Sequence, residues 1–358
     1  MKFAKNLTGH TLIPHGGLYS IKNPHSTLVD FSSNINPIGC PKSVQSLLVS
    51  WADKIPVYPD HNSKMLKNRI VKYLGIAFNN ITVGNGAIEL IYNFCNALVS
   101  KNTLVLIPVP TFGEYEAASK ICGGKLKFFK TMNLEQDLSE FVKEIPTNGL
   151  IFICNPNNPT GTMTSKKSMI NIIKSAKSKN SFVFVDECFM ELTQTPQQSV
   201  IDQVKKFDNL FVLRSLTKSF GLAGLRIGYG IGNERLGSIL DRIKIPWSVN
   251  GLAQEAAIIA LSEKNFLAKT RRIMKTESIF LKNSISKFDG FSCLETSTNF
   301  ILIKTKTSSQ ILQKKLLQKK ILIRDCSTFR GLGKNYIRIA IKTHKENLKL
   351  VKALATIS

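Results

Sequence analysis

The segment Ser215-Leu216-Thr217-Lys218-Ser219-Phe220-Gly221-Leu222-Ala223-Gly224-Leu225-Arg226 holds the most specific chemistry in the sequence. It follows the apolar run Leu210-Phe211-Val212-Leu213. Lys218 is therefore expected at the C-terminal end of a buried strand, where ligands sit in open α/β sheets. A lysine amine that is partly deprotonated can form an imine with an aldehyde. Ser215 and Arg226 flank it with a hydroxyl and a planar cationic fork, a pair suited to a phosphate. Alone, a lysine in a glycine-rich turn reads as a surface feature; three further segments supply the rest of one site.

Phe184-Val185-Asp186-Glu187 ends a second apolar run in two carboxylates. A buried Asp186 needs a cationic partner, which a protonated ring nitrogen would provide; the plainer role is to cap the next helix. Asn155-Pro156-Asn157-Asn158-Pro159-Thr160-Gly161 follows a third run, and Asn158 can donate to a ring oxygen. In Val83-Gly84-Asn85-Gly86-Ala87-Ile88-Glu89-Leu90 a strand passes into a helix, so that Gly86, Ala87 and Ile88 offer free backbone N–H groups to an anion. The dinucleotide fingerprint G-x-G-x-x-G fails here because Glu89 takes the third glycine position, and at Gly230 and Gly232 because Arg235 does. NAD is thereby rejected. Phe112 is placed to stack on a flat heteroaromatic ring.

These segments need a scaffold, and the pattern around them predicts one. Leu104-Val105-Leu106-Ile107, Leu150-Ile151-Phe152-Ile153, Phe182-Val183-Phe184-Val185 and Leu210-Phe211-Val212-Leu213 read as buried strands. Helical segments alternate with them; the clearest carries Met169, Ile172, Ile173 and Ala176 on one face. That alternation predicts an α/β domain with a mostly parallel sheet. Residues 1–45 look irregular. After about 250, a long helical stretch, strands near 299–304, 321–325 and 336–341, and a last amphipathic helix with Leu350, Val351, Leu354 and Ile357 predict a smaller α+β unit. The expected division is a large cofactor-binding domain over 46–250, with 1–45 and 251–358 forming an N-terminal arm and the small domain.

The 358 residues carry 49 Lys+Arg against 24 Asp+Glu, a formal net charge of +25. The lysines are spread along the chain, so a solvated basic surface is expected, with a field that favours phosphorylated metabolites. The seven cysteines are scattered and none forms a C-x-x-C pair, which fits a reduced cytoplasmic protein without a metal site. No apolar stretch is long enough for a membrane span, and Met1-Lys2-Phe3-Ala4-Lys5-Asn6 has no apolar run behind it to make a leader.

The four segments, in their order along the chain and across nearly its whole length, resemble the fold-type-I pyridoxal-5'-phosphate (PLP) enzymes of the aminotransferase class I/II superfamily. The resemblance implies a seven-stranded, mostly parallel sheet, PLP bound through Lys218, and a homodimer with active sites at the subunit interface. In it Tyr58, within Tyr58-Pro59-Asp60, reaches the neighbouring subunit's cofactor phosphate.

Both chain ends narrow the choice. His15-Gly16-Gly17 and Asn34-Ile35-Asn36-Pro37 stand near the start; Ile323-Arg324-Asp325 and Tyr336-Ile337-Arg338 stand near the end. Two arginines at strand positions can each hold a carboxylate or a phosphate through two N–H groups, and a substrate dianion is a fair partner. These segments closely resemble the L-threonine-O-3-phosphate decarboxylases of cobalamin biosynthesis. That resemblance implies decarboxylation to (R)-1-amino-2-propanol O-2-phosphate, with substrate contacts at His15, Gly16, Asn34, Asn158, Arg324 and Arg338. Phe189 agrees with it, since many related aminotransferases place a tyrosine there. The runner-up is the histidinol-phosphate aminotransferase family, which shares the lysine, the aspartate and the Asn-Pro-Thr-Gly run. A non-catalytic regulator binding nucleic acid is the alternative from another class. It would need an appended DNA-binding domain, and none is recognisable before the cofactor segments. No nucleic-acid or membrane partner is therefore expected.

Overall fold

The computed structural model describes residues 12–22 and 24–357; the charged start Met1–Asn6 lies outside them. In chain order the strands are β1 (Val29–Asp30), β2 (Ile81–Asn85), β3 (Leu104–Val109), β4 (Lys125–Lys130), β5 (Leu150–Cys154), β6 (Phe182–Asp186), β7 (Leu210–Ser215), β8 (Ile227–Ile231), β9 (Phe291–Cys293), β10 (Phe300–Thr305), β11 (Ile321–Leu322), β12 (Arg324–Asp325) and β13 (Tyr336–Ala340). A seven-stranded sheet has the order β2-β8-β7-β6-β5-β3-β4. β8 runs antiparallel to both its neighbours, and the other pairings are parallel.

Strand alternation builds two cores from this sheet. Ile151, Ile153, Val183, Val185, Leu210 and Val212 face one cluster with the helices Lys64–Leu74, Lys166–Ser178 and Gly251–Ala260. Phe152, Phe184, Phe211 and Leu213 face the other, with the helices Gly86–Leu98, Glu114–Ile121 and Glu234–Ile243. Helices thus cover both faces, which is why the central strands read as continuous apolar runs.

The small domain is an antiparallel sheet of order β12-β13-β10-β9, beside the parallel pair β1 and β11. Its core joins Phe31 of the N-terminal segment to Ile301, Ile303, Ile337, Ile339, Leu350 and Leu354. The helix Gly251–Ala260 buries Ala253, Ala256, Ala257 and Ala260 in the large-domain core. The crossing comes inside the helix Phe266–Ile285, where Met274 joins a large-domain cluster and Leu281 and Ile285 join the small-domain one.

Two strands escape the apolar-run pattern. β4 is a half-buried edge strand rich in lysine. β8, Ile-Gly-Tyr-Gly-Ile, looks too glycine-rich for a strand. Its Gly230 is required by packing: a Cβ there would stand 2.1 Å from the Phe211 ring.

Candidate active site

Apart from Gly86 and Tyr58, every residue singled out from the sequence lines one cavity of about 760 Å³. Its floor is the C-terminal edge of four adjacent strands. Lys218 sits in the single turn Leu216–Ser219 that follows β7, and Asp186 is the last residue of β6. Asn158 follows β5 and Phe112 follows β3. The apolar strands fix these ends in a row, so the polar residues after them converge without being close in sequence.

Lys218 lines the cavity half-buried, and desolvation, reinforced by the cation of Arg338, pushes its amine down to about 8. Near neutral pH a part of it is therefore the free amine, the nucleophilic form. The two carboxylates after β6 separate. Asp186 faces the cavity, accepting from the Tyr115 hydroxyl at 2.6 Å and from the Cys188 N–H at 2.9 Å. Burial raises its pKa, and among the described residues no cation lies within ion-pair distance of it. Glu187 turns the other way, fully buried on Arg214 (2.8 Å), the Ser199 hydroxyl (2.6 Å) and the Val200 N–H (2.8 Å). It braces the sheet and stands apart from the cavity.

The asparagine-rich loop sorts in the same way. Asn155 exchanges hydrogen bonds with Thr164, and Asn157 bonds Thr111, Pro110 and Thr160. Only Asn158 turns to the cavity, where its Oδ1 accepts from Arg338.

At the other end, Arg226 is held with φ of 59°, in the left-handed region that a non-glycine residue rarely adopts. Its guanidinium lies over Gly86, where a Cβ would come within 2.5 Å of Nη2. The start of the helix Gly86–Leu98, with Ala87 and Ile88 in the wall, and Ser215 and Thr217 complete this corner. Among the described residues no carboxylate pairs with Arg226.

The small domain supplies two more cations. Arg324 and Arg338 are direct cross-strand partners on β12 and β13. Like charges placed opposite each other destabilise a strand pair unless an anion separates them. Arg338 is 5% exposed; Nη2 donates to the Ser32 carbonyl at 2.8 Å and the guanidinium stacks over Phe300. Its Nε is buried without a partner, as is Oδ1 of Asn34 across the cavity wall. Desolvation brings the guanidinium down to about 10, with Arg324 pushing the same way. Arg324 is more accessible, donating to the Pro14 carbonyl at 2.5 Å. His15 and Gly16 border the same end; Gly17 N–H donates to the Ser32 hydroxyl at 2.7 Å and fixes this loop.

Tyr58 lies elsewhere: it is 81% exposed, with its ring 5.3 Å from that of Trp247. Reading the sequence did not find Tyr115, which orients Asp186 and stacks on Phe152 at 5.0 Å. Its only signal was a tyrosine three residues after Phe112, on the first turn of a helix.

A protein of Caldanaerobacter subterraneus subsp. tengcongensis named "Putative threonine-phosphate decarboxylase" is 38% identical over 90% of this chain and 88% of its own. A histidinol-phosphate aminotransferase of Thermoanaerobacter pseudethanolicus is 34% identical over 87% of each chain. The crystal structure of the histidinol-phosphate aminotransferase from Clostridium acetobutylicum superposes with a TM-score of 0.84 at 32% identity, covering 92% of this chain and 99% of that one. Residues 26–354 match the family described as aminotransferase class I and II. With that match over most of its length, the chain belongs to the aminotransferase class I and II family of PLP-dependent enzymes.

Proposed function

We propose that the protein decarboxylates L-threonine O-3-phosphate to (R)-1-amino-2-propanol O-2-phosphate, a step of cobalamin biosynthesis. The observation that carries this reading is the surplus of anion receptors. Arg226, Ser215 and the helix start at Gly86 make one phosphate corner. Arg324, Arg338 and His15 line the other end of the cavity, where the unpartnered Nε of Arg338 suits an anion, and this second set of donors suits a substrate with two anionic groups. The 38% identical relative named for threonine phosphate supports the same substrate.

The cavity fits PLP. Asp186 lacks a cation and suits the ring nitrogen, Asn158 the ring oxygen, Phe112 the ring face, Lys218 the aldehyde carbon, and the Arg226 corner the phosphate. When bound, PLP supplies an electron sink for the bond at the substrate's α-carbon that lies perpendicular to its ring. The chain decides which bond that is. Arg338 and Arg324, fixed across β13 and β12, hold the carboxylate and the phosphate and so turn the α-carbon. Lys218 Nζ, able to exchange a proton near neutral pH, is the group placed to protonate that carbon after carbon dioxide leaves. Phe189 is buried in the wall, its ring centroid 5.9 Å from Lys218 Nζ, and offers no hydroxyl to the ring oxygen.

Histidinol-phosphate aminotransferase is the second reading, favoured by the 34% identical relative and the Clostridium structure. The two separate in one experiment. The holoenzyme is expected to release carbon dioxide from L-threonine O-3-phosphate and to give little turnover of histidinol phosphate with 2-oxoglutarate. Efficient turnover of the second pair with no carbon dioxide from the first would assign the aminotransferase.

A homodimer belongs to this proposal. Tyr58, its ring against that of Trp247, is exposed, as are the apolar side chains of Val49, Ile55, Val57 and Ile245, and a subunit interface would cover such side chains. Sedimentation equilibrium is expected to return twice the chain mass of 39.9 kDa; a monomer would remove Tyr58 from any shared site.

A further inference from the structure

His15 is oriented by a partner that reading the sequence did not reveal. Its Nε2 stands 2.7 Å from Oε1 of Glu114, the first residue of the helix Glu114–Ile121. Glu114 is only 7% exposed. Its other oxygen accepts from the Tyr92 hydroxyl at 2.7 Å, from the neighbouring helix Gly86–Leu98. Burial and the Glu114 charge push the Tyr92 phenol up, so it stays a donor. The His15 side chain keeps 54% exposure, and its ring lies 6.1 Å from that of Phe112 at the cavity wall.

This arrangement constrains the imidazole. A carboxylate accepts only, so Nε2 must carry its hydrogen. In the neutral ring Nδ1 is then a lone pair, which repels an anion. Only the imidazolium presents an Nδ1–H that donates to one. Arg324, bonded to the carbonyl of adjacent Pro14, and Arg338, bonded to Ser32 beneath Gly17, stand at the same end of the cavity. The buried carboxylate fixes which nitrogen of His15 is left for a ligand, and the Tyr92 hydroxyl keeps that carboxylate aimed.

We infer that Glu114, steered by Tyr92, is a positioning residue that holds His15 as a charged donor to the phosphate of the substrate. The inference rests on the substrate reading above, and it predicts selectivity as well as affinity. Glu114→Gln keeps the size and a hydrogen bond but removes the charge.

The test is equilibrium titration of the full-length holoenzyme with O-phospho-L-threonine, L-threonine and inorganic phosphate. Glu114→Gln should weaken the two phosphate ligands about tenfold and L-threonine less than about twofold, the scale of one charge-assisted contact. Tyr92→Phe should act in the same direction, about threefold. In a His15→Ala background, Glu114→Gln should add less than about twofold, because the two residues act through one contact. Equal losses for all three ligands, or a full Glu114→Gln effect without His15, would overturn the inference as a fold effect. Failure of the unmutated protein to prefer O-phospho-L-threonine over L-threonine would instead overturn the substrate reading. Inorganic phosphate would still judge Glu114 in that case, since an unchanged affinity in Glu114→Gln defeats the inference by itself.

Discussion

Lys218→Ala is expected to abolish turnover and covalent retention of the cofactor while leaving the fold intact. The lysine lines a cavity rather than a core, and among the described residues no hydrogen bond or ion pair uses its amine to hold other elements together. Truncation therefore removes chemistry with little packing. Borohydride reduction followed by peptide mapping should tag Lys218 in the native protein and nothing in the variant; a tag on any other lysine would overturn the assignment. The same amine sets a pH dependence. Its value of about 8 lies below that of an ordinary lysine, because burial and Arg338 disfavour the ammonium. The neutral form attacks an aldehyde, so the rate at which cofactor-free protein captures PLP should rise as pH passes upward through about 8 and then level off. It should fall tenfold per pH unit well below that point, where the ammonium dominates. A rate that is flat between pH 6 and 9 would mean that another group limits capture.

The sheet was legible because its chemistry depends on local pattern. Buried parallel strands are apolar throughout, and each polar motif directly follows one of them. The α/β architecture and the row of Phe112, Asn158, Asp186 and Lys218 at strand ends could be derived from the order of residues alone. What stayed hidden depends on contacts far apart in the chain. Asp186 and Glu187 are adjacent carboxylates, yet one meets Tyr115, 71 positions away, and the other meets Arg214, 27 positions away. Alternation along a strand sends neighbours to opposite faces, but only the fold says which face holds the cavity. His15 and Glu114 are 99 residues apart, and no periodicity links them. Which core the helix after residue 250 joins was hidden for a related reason. An alanine-rich amphipathic helix reads the same whichever core it packs on, and Gly251–Ala260 packs on the large one.

Arg338→Ala is expected to weaken productive binding of threonine phosphate by about two to four orders of magnitude, the range of about 3–5 kcal/mol for removing one partner of a buried charge pair. Arg324→Ala should cost less. The reasons lie in what each guanidinium does in the absence of substrate. Arg338 is 5% exposed, with one nitrogen on Asn158, one on Ser32 and a buried Nε without a partner. Burial and Arg324 disfavour its cation more than Cys326 and Asp30 favour it, and a substrate anion relieves that deficit. Arg324 is closer to water and already donates to Pro14 and Thr328. Loss of Arg338 also releases Oδ1 of Asn158 and the carbonyl of Ser32, so the effect should include orientation as well as affinity. Arg338→Lys separates the two contributions. It restores the charge but not the planar fork, and should recover less than half of the lost binding free energy. The measurement is steady-state carbon dioxide release with PLP saturation checked in each variant. If Arg324→Ala proves the more damaging, the anion that matters sits on the exposed side of the β12–β13 pair, and the roles assigned to the two arginines must be exchanged.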